Sequence, residues 1–149
     1  MPVIRDYQKA VLRYWRSSIR MILHFLWPNT FDADPAWSEI TVDELYKRLG
    51  SDDPPFLLDV RTAPEFDGIY ENSNYGHIPD AVSIPILELE SRLDEVEIYR
   101  GREIVTMCPG GGLSLVAVEV LKDAGFKNVK SLKGGTDEWH RKGYPLTTG

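Results

Sequence analysis

The residues best suited to chemistry are one cysteine and the glycines that follow it. Cys108 is the only cysteine among 149 residues, and Gly110, Gly111 and Gly112 come two to four residues later. An apolar, strand-like run precedes this loop and a helical pattern follows it. Glycine permits positive φ, so successive amide N–H groups can converge on an anionic sulfur, and the positive end of the helix faces the same way. The pattern predicts a thiolate nucleophile at Cys108.

An alternative interpretation is that Cys108 is a buried packing residue, because free cysteine often behaves as a small hydrophobe. Packing alone does not require three consecutive glycines after the cysteine. The carboxyl end of a strand is also where ligands bind in open α/β sheets. We therefore favour the nucleophile and keep the packing role as the alternative.

The composition restricts the cofactors and the compartment. A single cysteine excludes internal disulfides and multi-cysteine metal sites, and the three histidines have no metal-ligand spacing. We therefore predict neither a metal nor another cofactor. A chain of this length suits one domain. The absence of disulfides fits a reducing cytoplasm, which is the expected compartment.

The charge is divided unevenly along the chain. Residues 1–30 contain five basic side chains and one acidic side chain, whereas residues 31–149 contain twelve basic and twenty-two acidic side chains. The body of the protein therefore has a net charge of −10 and the N-terminal segment one of +4. Because an acidic body repels phosphates, nucleic acid is excluded as a partner.

An amphipathic pattern covers residues 3–27, with basic side chains on one side and apolar side chains on the other. It predicts an N-terminal helix within a segment 1–30, followed by a linker 31–37 and a domain 38–149. The apolar run is interrupted by Arg20 and His24 and is shorter than the roughly 20 residues that span a bilayer. Three interpretations stay open: docking on its own domain or a second copy, peripheral contact with an anionic membrane, or a secretory signal.

Beyond residue 37 the pattern alternates short strands with helices. Strands are predicted at 56–60, 81–84, 103–107 and 128–132, and helices at 41–49, 64–66, 86–96, 113–124 and 135–142. Thr41 and Glu44 have capping-box spacing at the first of these helices. The alternation predicts an α/β fold with three α/β/α layers and a parallel sheet of about five strands.

Several motifs, taken in order, carry a family resemblance. They are Asp59-Val60-Arg61, Glu65-Phe66, Gly76-His77-Ile78-Pro79-Asp80-Ala81, the Cys108 loop, Leu132-Lys133-Gly134-Gly135, Trp139 and Gly143-Tyr144-Pro145. Together they cover roughly residues 38–147 and resemble a single-domain rhodanese. The resemblance implies a sulfurtransferase in which a six-residue loop that begins at Cys108 cradles a persulfide.

The resemblance also implies a mechanism. Cys108 takes sulfur from a persulfide, polysulfide or thiosulfate donor and passes it to a thiol or to cyanide. The amides from Gly110 to Ser114 stabilise the anionic sulfur, whereas Pro109 has no N–H to contribute. Many family members have arginine at the sixth loop position, where this chain has Leu113. Because a dianionic donor loses a charge-assisted partner there, we expect a persulfide or polysulfide donor rather than thiosulfate.

Four further residues belong to the predicted site as supports. The resemblance suggests that Asp59 and Arg61 join the sheet end to neighbouring loops, with an acid–base role as the alternative. His77 is expected to brace a turn, with a general-base role as the alternative. Trp139 is expected to pack in the core beside the loop.

Other functions compete with sulfur transfer. A non-catalytic rhodanese module would bind a partner through the loop and attach itself through residues 3–27, and Leu113 supports this alternative. A cysteine phosphatase would need arginine where this chain has Ser114, so it lacks the phosphoryl clamp. A thiol–disulfide oxidoreductase would need a second cysteine.

Overall fold

The structure is a computed structural model that describes residues 38–69 and 76–149, with Leu12 as an isolated further residue. The predicted helix over 3–27 and the linker 31–37 lie outside the two described ranges, so both stay predictions. The sheet has five strands. They are β1 (Glu39–Ile40), β2 (Phe56–Asp59), β3 (Val82–Ser83), β4 (Ile104–Met107) and β5 (Val129–Leu132).

All strand pairs are parallel, and their order across the sheet is β1-β5-β4-β2-β3. Five α-helices and one 3₁₀ segment surround the sheet in the described ranges. They are α1 (Val42–Leu49), α2 (Ala63–Asp67), α3 (Ile86–Leu89), the 3₁₀ segment (Glu90–Tyr99), α4 (Gly112–Asp123) and α5 (Gly135–Arg141). The predicted α/β fold with a parallel sheet is confirmed.

Alternating side chains of the buried strands divide the core into two clusters, because successive residues of a strand point to opposite faces. Leu57, Val105 and Met107 pack in one cluster with residues of α1 and α5. Leu58 and Ile104 pack in the other cluster with residues of α3 and α4. The sheet is therefore covered by helices on both faces, which gives the three predicted layers.

Two local features differ from the sequence-based expectation. Strand β1 was not predicted, because a strand of two residues with only Ile40 buried shows no periodicity. The predicted helix 86–96 is an α-helix only to Leu89 and then becomes the 3₁₀ segment, in which Arg92 has non-helical φ and ψ of −117° and 20°. Leu93, Val96 and Tyr99 are three residues apart and all pack on the core, which suits the three-residue turn of a 3₁₀ helix.

Candidate active site

Cys108 directly follows β4, at the edge of the sheet where the parallel strands end. Its side chain is only 2% exposed. Gly111 has φ of +94° and is the N-cap of α4, and its amide donates a hydrogen bond to Cys108 Sγ at 3.0 Å. The hydroxyl of Ser114 lies 3.5 Å from the same sulfur. The loop thus places a backbone N–H donor and a hydroxyl group beside one buried sulfur.

The first turn of α5 holds the other side of this loop. The amide of Thr136 donates to the carbonyl of Cys108 at 2.9 Å, and that of Asp137 donates to the carbonyl of Pro109 at 3.0 Å. The loop carbonyls are therefore bonded to α5, while the Gly111 amide faces the sulfur. Gly135 allows this approach: a Cβ at that position would lie 2.2 Å from the Cys108 carbonyl oxygen.

Two buried hydroxyl side chains, those of Ser131 and Thr106, contact Ser114, which is itself buried. Ser114 Oγ lies 2.7 Å from Ser131 Oγ of β5. Thr106 of β4 donates its hydroxyl to the Ser114 backbone carbonyl at 2.8 Å. All three residues are fully buried. Ser131 was not among the residues selected from the sequence, because a serine within a strand has no distinguishing pattern.

Leu113 lies in the first turn of α4 and is 36% exposed. Its side chain therefore presents an apolar group to solvent close to the cysteine loop. Gly110 and Gly112, the other two loop glycines, have open space where a Cβ would be. Gly111 is the loop glycine whose positive φ makes glycine the favoured residue.

Asp59 and Arg61 form a buried ion pair at the same edge of the sheet. Arg61 Nε lies 2.9 Å from Asp59 Oδ1 and Nη2 lies 2.7 Å from Oδ2, so the pair is bidentate. Nη2 also donates to the carbonyl of Gly76 at 2.7 Å. Asp59 is paired in register with Met107, the residue before Cys108. The pair thus connects the end of β2 to the segment around His77.

His77 contacts Phe66 and Thr147. Its Nδ1 donates to the Phe66 carbonyl at 2.8 Å, since a carbonyl oxygen can only accept. The two rings are stacked, with centroids 3.6 Å apart. Its backbone exchanges two hydrogen bonds of 2.8 Å with Thr147. These contacts suit the predicted role as a brace.

Trp139 of α5 is buried in the core cluster that contains Met107. Its indole Nε1 donates to the Pro145 carbonyl at 2.9 Å, and its ring packs edge-on against Tyr46 and Tyr144. Because the first turn of α5 bonds the loop carbonyls, a fixed Trp139 also fixes the helix that supports the loop.

A polar contact on the surface joins α1 to the end of the domain. Tyr144 donates its hydroxyl to the carboxylate of Asp43, and Lys142 Nζ lies 3.0 Å from that carboxylate. The hydrogen bonds from Tyr144 and Lys142 hold the pKa of Asp43 below its usual value, and the bond to Asp43 raises the pKa of Tyr144. Beside this contact lies a cleft of about 350 Å³, lined among others by Thr41, Lys133 and Gly134.

Within the described ranges, no three His, Cys, Asp or Glu side chains are grouped as metal ligands. Over the same residues, no helix combines the length and the apolar character that crossing a bilayer requires.

Comparisons with known proteins agree with this geometry. The model of the rhodanese-like domain family matches residues 41–142. A sulfurtransferase of Allochromatium vinosum is 31% identical over 109 residues, which are 73% of this chain and 94% of that protein. The structure of a rhodanese-related protein from Thermoplasma volcanium superimposes with a TM-score of 0.64 at 28% identity, covering 76% of this chain and all of that one.

Some relatives are longer than this chain. An HTH-type transcriptional regulator of Mycobacterium tuberculosis is 38% identical over 112 residues, which are 74% of this chain but only 45% of that protein. The matched region is therefore present both in a small protein and as part of a larger one.

Proposed function

Because the chain belongs to the rhodanese-like domain family, we propose that it is a sulfurtransferase that carries sulfane sulfur as a persulfide on Cys108. The observation that carries the proposal is the Gly111 amide 3.0 Å from a buried Cys108 Sγ, at the carboxyl end of the central strand. Hydrogen bonds from preorganised donors stabilise an anionic atom in a site from which water is excluded.

The proposed reaction has two steps. In the first, the thiolate of Cys108 attacks the outer sulfur of a donor persulfide; a new S–S bond forms, the donor S–S bond breaks, and the donor leaves as a thiolate. In the second, an acceptor thiolate attacks the outer sulfur of the Cys108 persulfide, takes that sulfur and releases the Cys108 thiolate. Cyanide can replace the acceptor thiol and leaves as thiocyanate. This is a ping-pong cycle that needs no cofactor.

The nature of Leu113 supports a persulfide or polysulfide donor. The two groups that contact the sulfur in the described ranges, the Gly111 amide and the Ser114 hydroxyl, are both neutral. A thiosulfate dianion gains from a positive partner about 1.5–3 kcal/mol, which an apolar side chain does not supply. A donor without a second negative charge loses less binding free energy when that positive partner is absent.

The experiment that tests this function is intact-mass spectrometry after exposure to a low-molecular-weight persulfide and, separately, to thiosulfate. We expect a gain of one sulfur with the persulfide, its removal by dithiothreitol, and no gain in Cys108→Ser. Thiosulfate should load the protein much less. If neither donor adds sulfur, the sulfurtransferase proposal is wrong.

A non-catalytic binding module is the second candidate, and two observations favour it. Leu113 replaces a residue suited to anionic substrates, and the matched region also occurs within a longer transcriptional regulator. The rate of Cys108 alkylation by iodoacetamide as a function of pH distinguishes the two functions. A thiolate that persists well below the pH at which a free cysteine ionises supports the enzyme, whereas ordinary thiol behaviour supports the module.

A further inference from the structure

The hydroxyl of Ser131 contacts the hydroxyl of Ser114, which in turn lies beside the sulfur of Cys108. Ser131 belongs to β5 and is fully buried. Its Oγ is 2.7 Å from Ser114 Oγ, which in turn is 3.5 Å from Cys108 Sγ. Within residues 38–69 and 76–149, Ser114 Oγ is the one hydrogen-bond partner that the Ser131 hydroxyl has. The three side chains form two consecutive contacts that lead from β5 to the sulfur.

The number of protons fixes the direction of the hydrogen bonds that join Ser131, Ser114 and Cys108. Each serine hydroxyl has one proton to donate and two lone pairs to accept. A buried donor without an acceptor costs more than an unused lone pair, so Ser131 must donate to Ser114, its one neighbour. Ser114 Oγ therefore accepts from Ser131, and its own proton is directed to the remaining neighbour, the sulfur of Cys108.

The opposite direction leaves a proton without a partner. If Cys108 were a thiol that donated to Ser114, then Ser114 would donate to Ser131, and the Ser131 proton would have no acceptor in the described part of the chain. The arrangement thus suits a sulfur that accepts hydrogen bonds, as a thiolate does, and disfavours a thiol that donates to Ser114. We infer that Ser131 is a positioning residue that keeps the Ser114 hydroxyl directed at Cys108 as a donor; its use in turnover rests on the proposed sulfur transfer.

Thr106 allows the effect of removing the Ser131 hydroxyl to be distinguished from a general loss of structure. It is paired in register with Ser131 across β4 and β5, and its hydroxyl holds the Ser114 carbonyl at 2.8 Å. The backbone of Ser114 is therefore held independently of Ser131. Removing the Ser131 hydroxyl should release the Ser114 hydroxyl from one of its two side-chain contacts, so that it is held less firmly toward the sulfur, and leave the position of the loop unchanged.

A double-mutant cycle tests the inference in the full chain. The variants are Ser131→Ala, Ser114→Ala and the double substitution, with Ser83→Ala as a matched serine of another strand. Two quantities are measured at neutral pH. One is the rate of Cys108 alkylation by iodoacetamide, and the other is the ultraviolet absorbance of the thiolate, taken as the difference from Cys108→Ser. Neither quantity requires sulfur transfer.

We expect Ser131→Ala to slow alkylation by about two- to tenfold and to lower the thiolate absorbance. Ser114→Ala should slow it by roughly tenfold or more, because it removes the donor itself. The double variant should match Ser114→Ala, since Ser131 acts through Ser114. Ser83→Ala should leave both quantities unchanged.

An unchanged rate in Ser131→Ala would overturn the inference. So would an equal slowing by Ser131→Ala in the presence and in the absence of Ser114, because the effect would then not pass through that hydroxyl. If the alkylation result holds but no donor loads sulfur, the proposed function fails while the positioning role of Ser131 stands.

Discussion

The groups that contact Cys108 Sγ in the described residues are uncharged, which under the proposed sulfur transfer favours donors with little negative charge. The Gly111 amide and the Ser114 hydroxyl can stabilise one negative charge on sulfur. A second negative charge on the same ligand would have no positive side chain at position 113, because Leu113 provides only hydrocarbon.

Replacing that hydrocarbon by a cation should change donor preference. We expect Leu113→Arg to raise kcat/KM for thiosulfate by roughly tenfold or more, since a guanidinium binds a dianion through charge-assisted hydrogen bonds. With an uncharged persulfide donor the change should be small. Steady-state kinetics with both donors measures the effect.

Leu113→Gln is the control, because it adds a polar side chain without charge. The partly exposed position should accept either replacement without loss of stability. Equal gains for arginine and glutamine would contradict an electrostatic role for position 113.

The buried pair of Asp59 and Arg61 gives a second prediction at the scale of single residues. Asp59→Asn keeps the shape of the side chain but leaves the Arg61 charge buried without its carboxylate. We expect the free energy of unfolding to fall by about 3–5 kcal/mol, as measured by urea denaturation. Asp52→Asn, at an exposed carboxylate, is the control. A loss below about 1 kcal/mol would mean that the pair does not stabilise the sheet end as described.

At the scale of residues, the cysteine loop could be recognised in the sequence as a candidate site, but the Ser131 hydroxyl that contacts Ser114 could not. Cys108 and its glycines are recognisable because glycine at consecutive positions has a conformational meaning. Ser131 is a small polar residue in a short strand, and such residues are common in strands. Its importance depends on the distance to Ser114, which only the packed sheet and helix determine.

Among the elements, α5 contributes most to the site without supplying a reacting atom. The amides of its second and third residues, Thr136 and Asp137, bond the carbonyls of Cys108 and Pro109, which requires the helix to approach the loop closely at Gly135. A side chain there would collide with the loop backbone.

Gly135→Ala should therefore separate α5 from the loop. We expect the free energy of unfolding to fall by about 3 kcal/mol or more and sulfur loading to be lost, because the left-handed backbone, with φ of +64°, and the collision both disfavour a Cβ. Urea denaturation and intact-mass spectrometry measure the two effects.

Gly143→Ala is a closely matched control. Gly143 also has a left-handed backbone, with φ of +74°, but has open space where a Cβ would be. In Gly143→Ala the free energy of unfolding should fall only by the backbone contribution, about 1–2 kcal/mol, and sulfur loading should be retained. Similar losses at both positions would show that the contact between α5 and the loop is unimportant.

The stabilisation from the contact between α1 and the segment after α5 should depend on pH. The pKa of Asp43 is lower in the folded protein than its usual value, so its contribution is complete above that value and disappears as the pH falls through the lowered one. Asp43→Asn should lower the melting temperature at neutral pH by no more than about 2–4 °C, since exposed ion pairs contribute little.

In acid the melting temperatures of Asp43→Asn and the unaltered protein should converge. Thermal denaturation followed by circular dichroism across the acidic range measures this convergence, with Asp52→Asn as the reference for a carboxylate outside the contact. A difference that grows as the pH falls would contradict the assignment.

For the helices and strands, the sequence predicted the long, regular elements and missed the short or irregular ones. The buried strands β2, β4 and β5 have apolar runs that are easy to recognise. Strand β1 forms because its two residues pair with β5, which is distant in sequence. The 3₁₀ segment shares its apolar spacing with an α-helix over one or two turns, so periodicity alone cannot distinguish them.

For the whole molecule, the site contacts that the structure describes join residues of the predicted domain 38–149. The hydrogen bonds to the loop and to Ser114 come from residues between 106 and 137. We propose that residues 38–149 form the folded domain and that residues 1–30 serve a separate role in attachment.

A chain shortened to residues 38–149 should therefore unfold in one cooperative step and still add one sulfur to Cys108 when exposed to a persulfide. Urea denaturation and intact-mass spectrometry of the shortened chain measure both properties. Cys108→Ser in the same shortened chain is the control for loading. A shortened chain that fails to fold would show that residues 1–37 belong to the core.

The burial of Cys108 also bears on which of two sulfur atoms an acceptor can reach. A persulfide adds one sulfur at a bond length of about 2.05 Å, so the outer atom extends away from the buried one. Attack on the outer sulfur delivers it to the acceptor, whereas attack on the inner sulfur would expel hydrosulfide and leave the acceptor joined to the protein as a mixed disulfide. Only 2% of Cys108 is exposed, so the outer sulfur would occupy the narrow opening through which the donor reached the thiolate, and access to the inner sulfur would be obstructed. The same burial that hides the cysteine would thus give the reaction its regioselectivity.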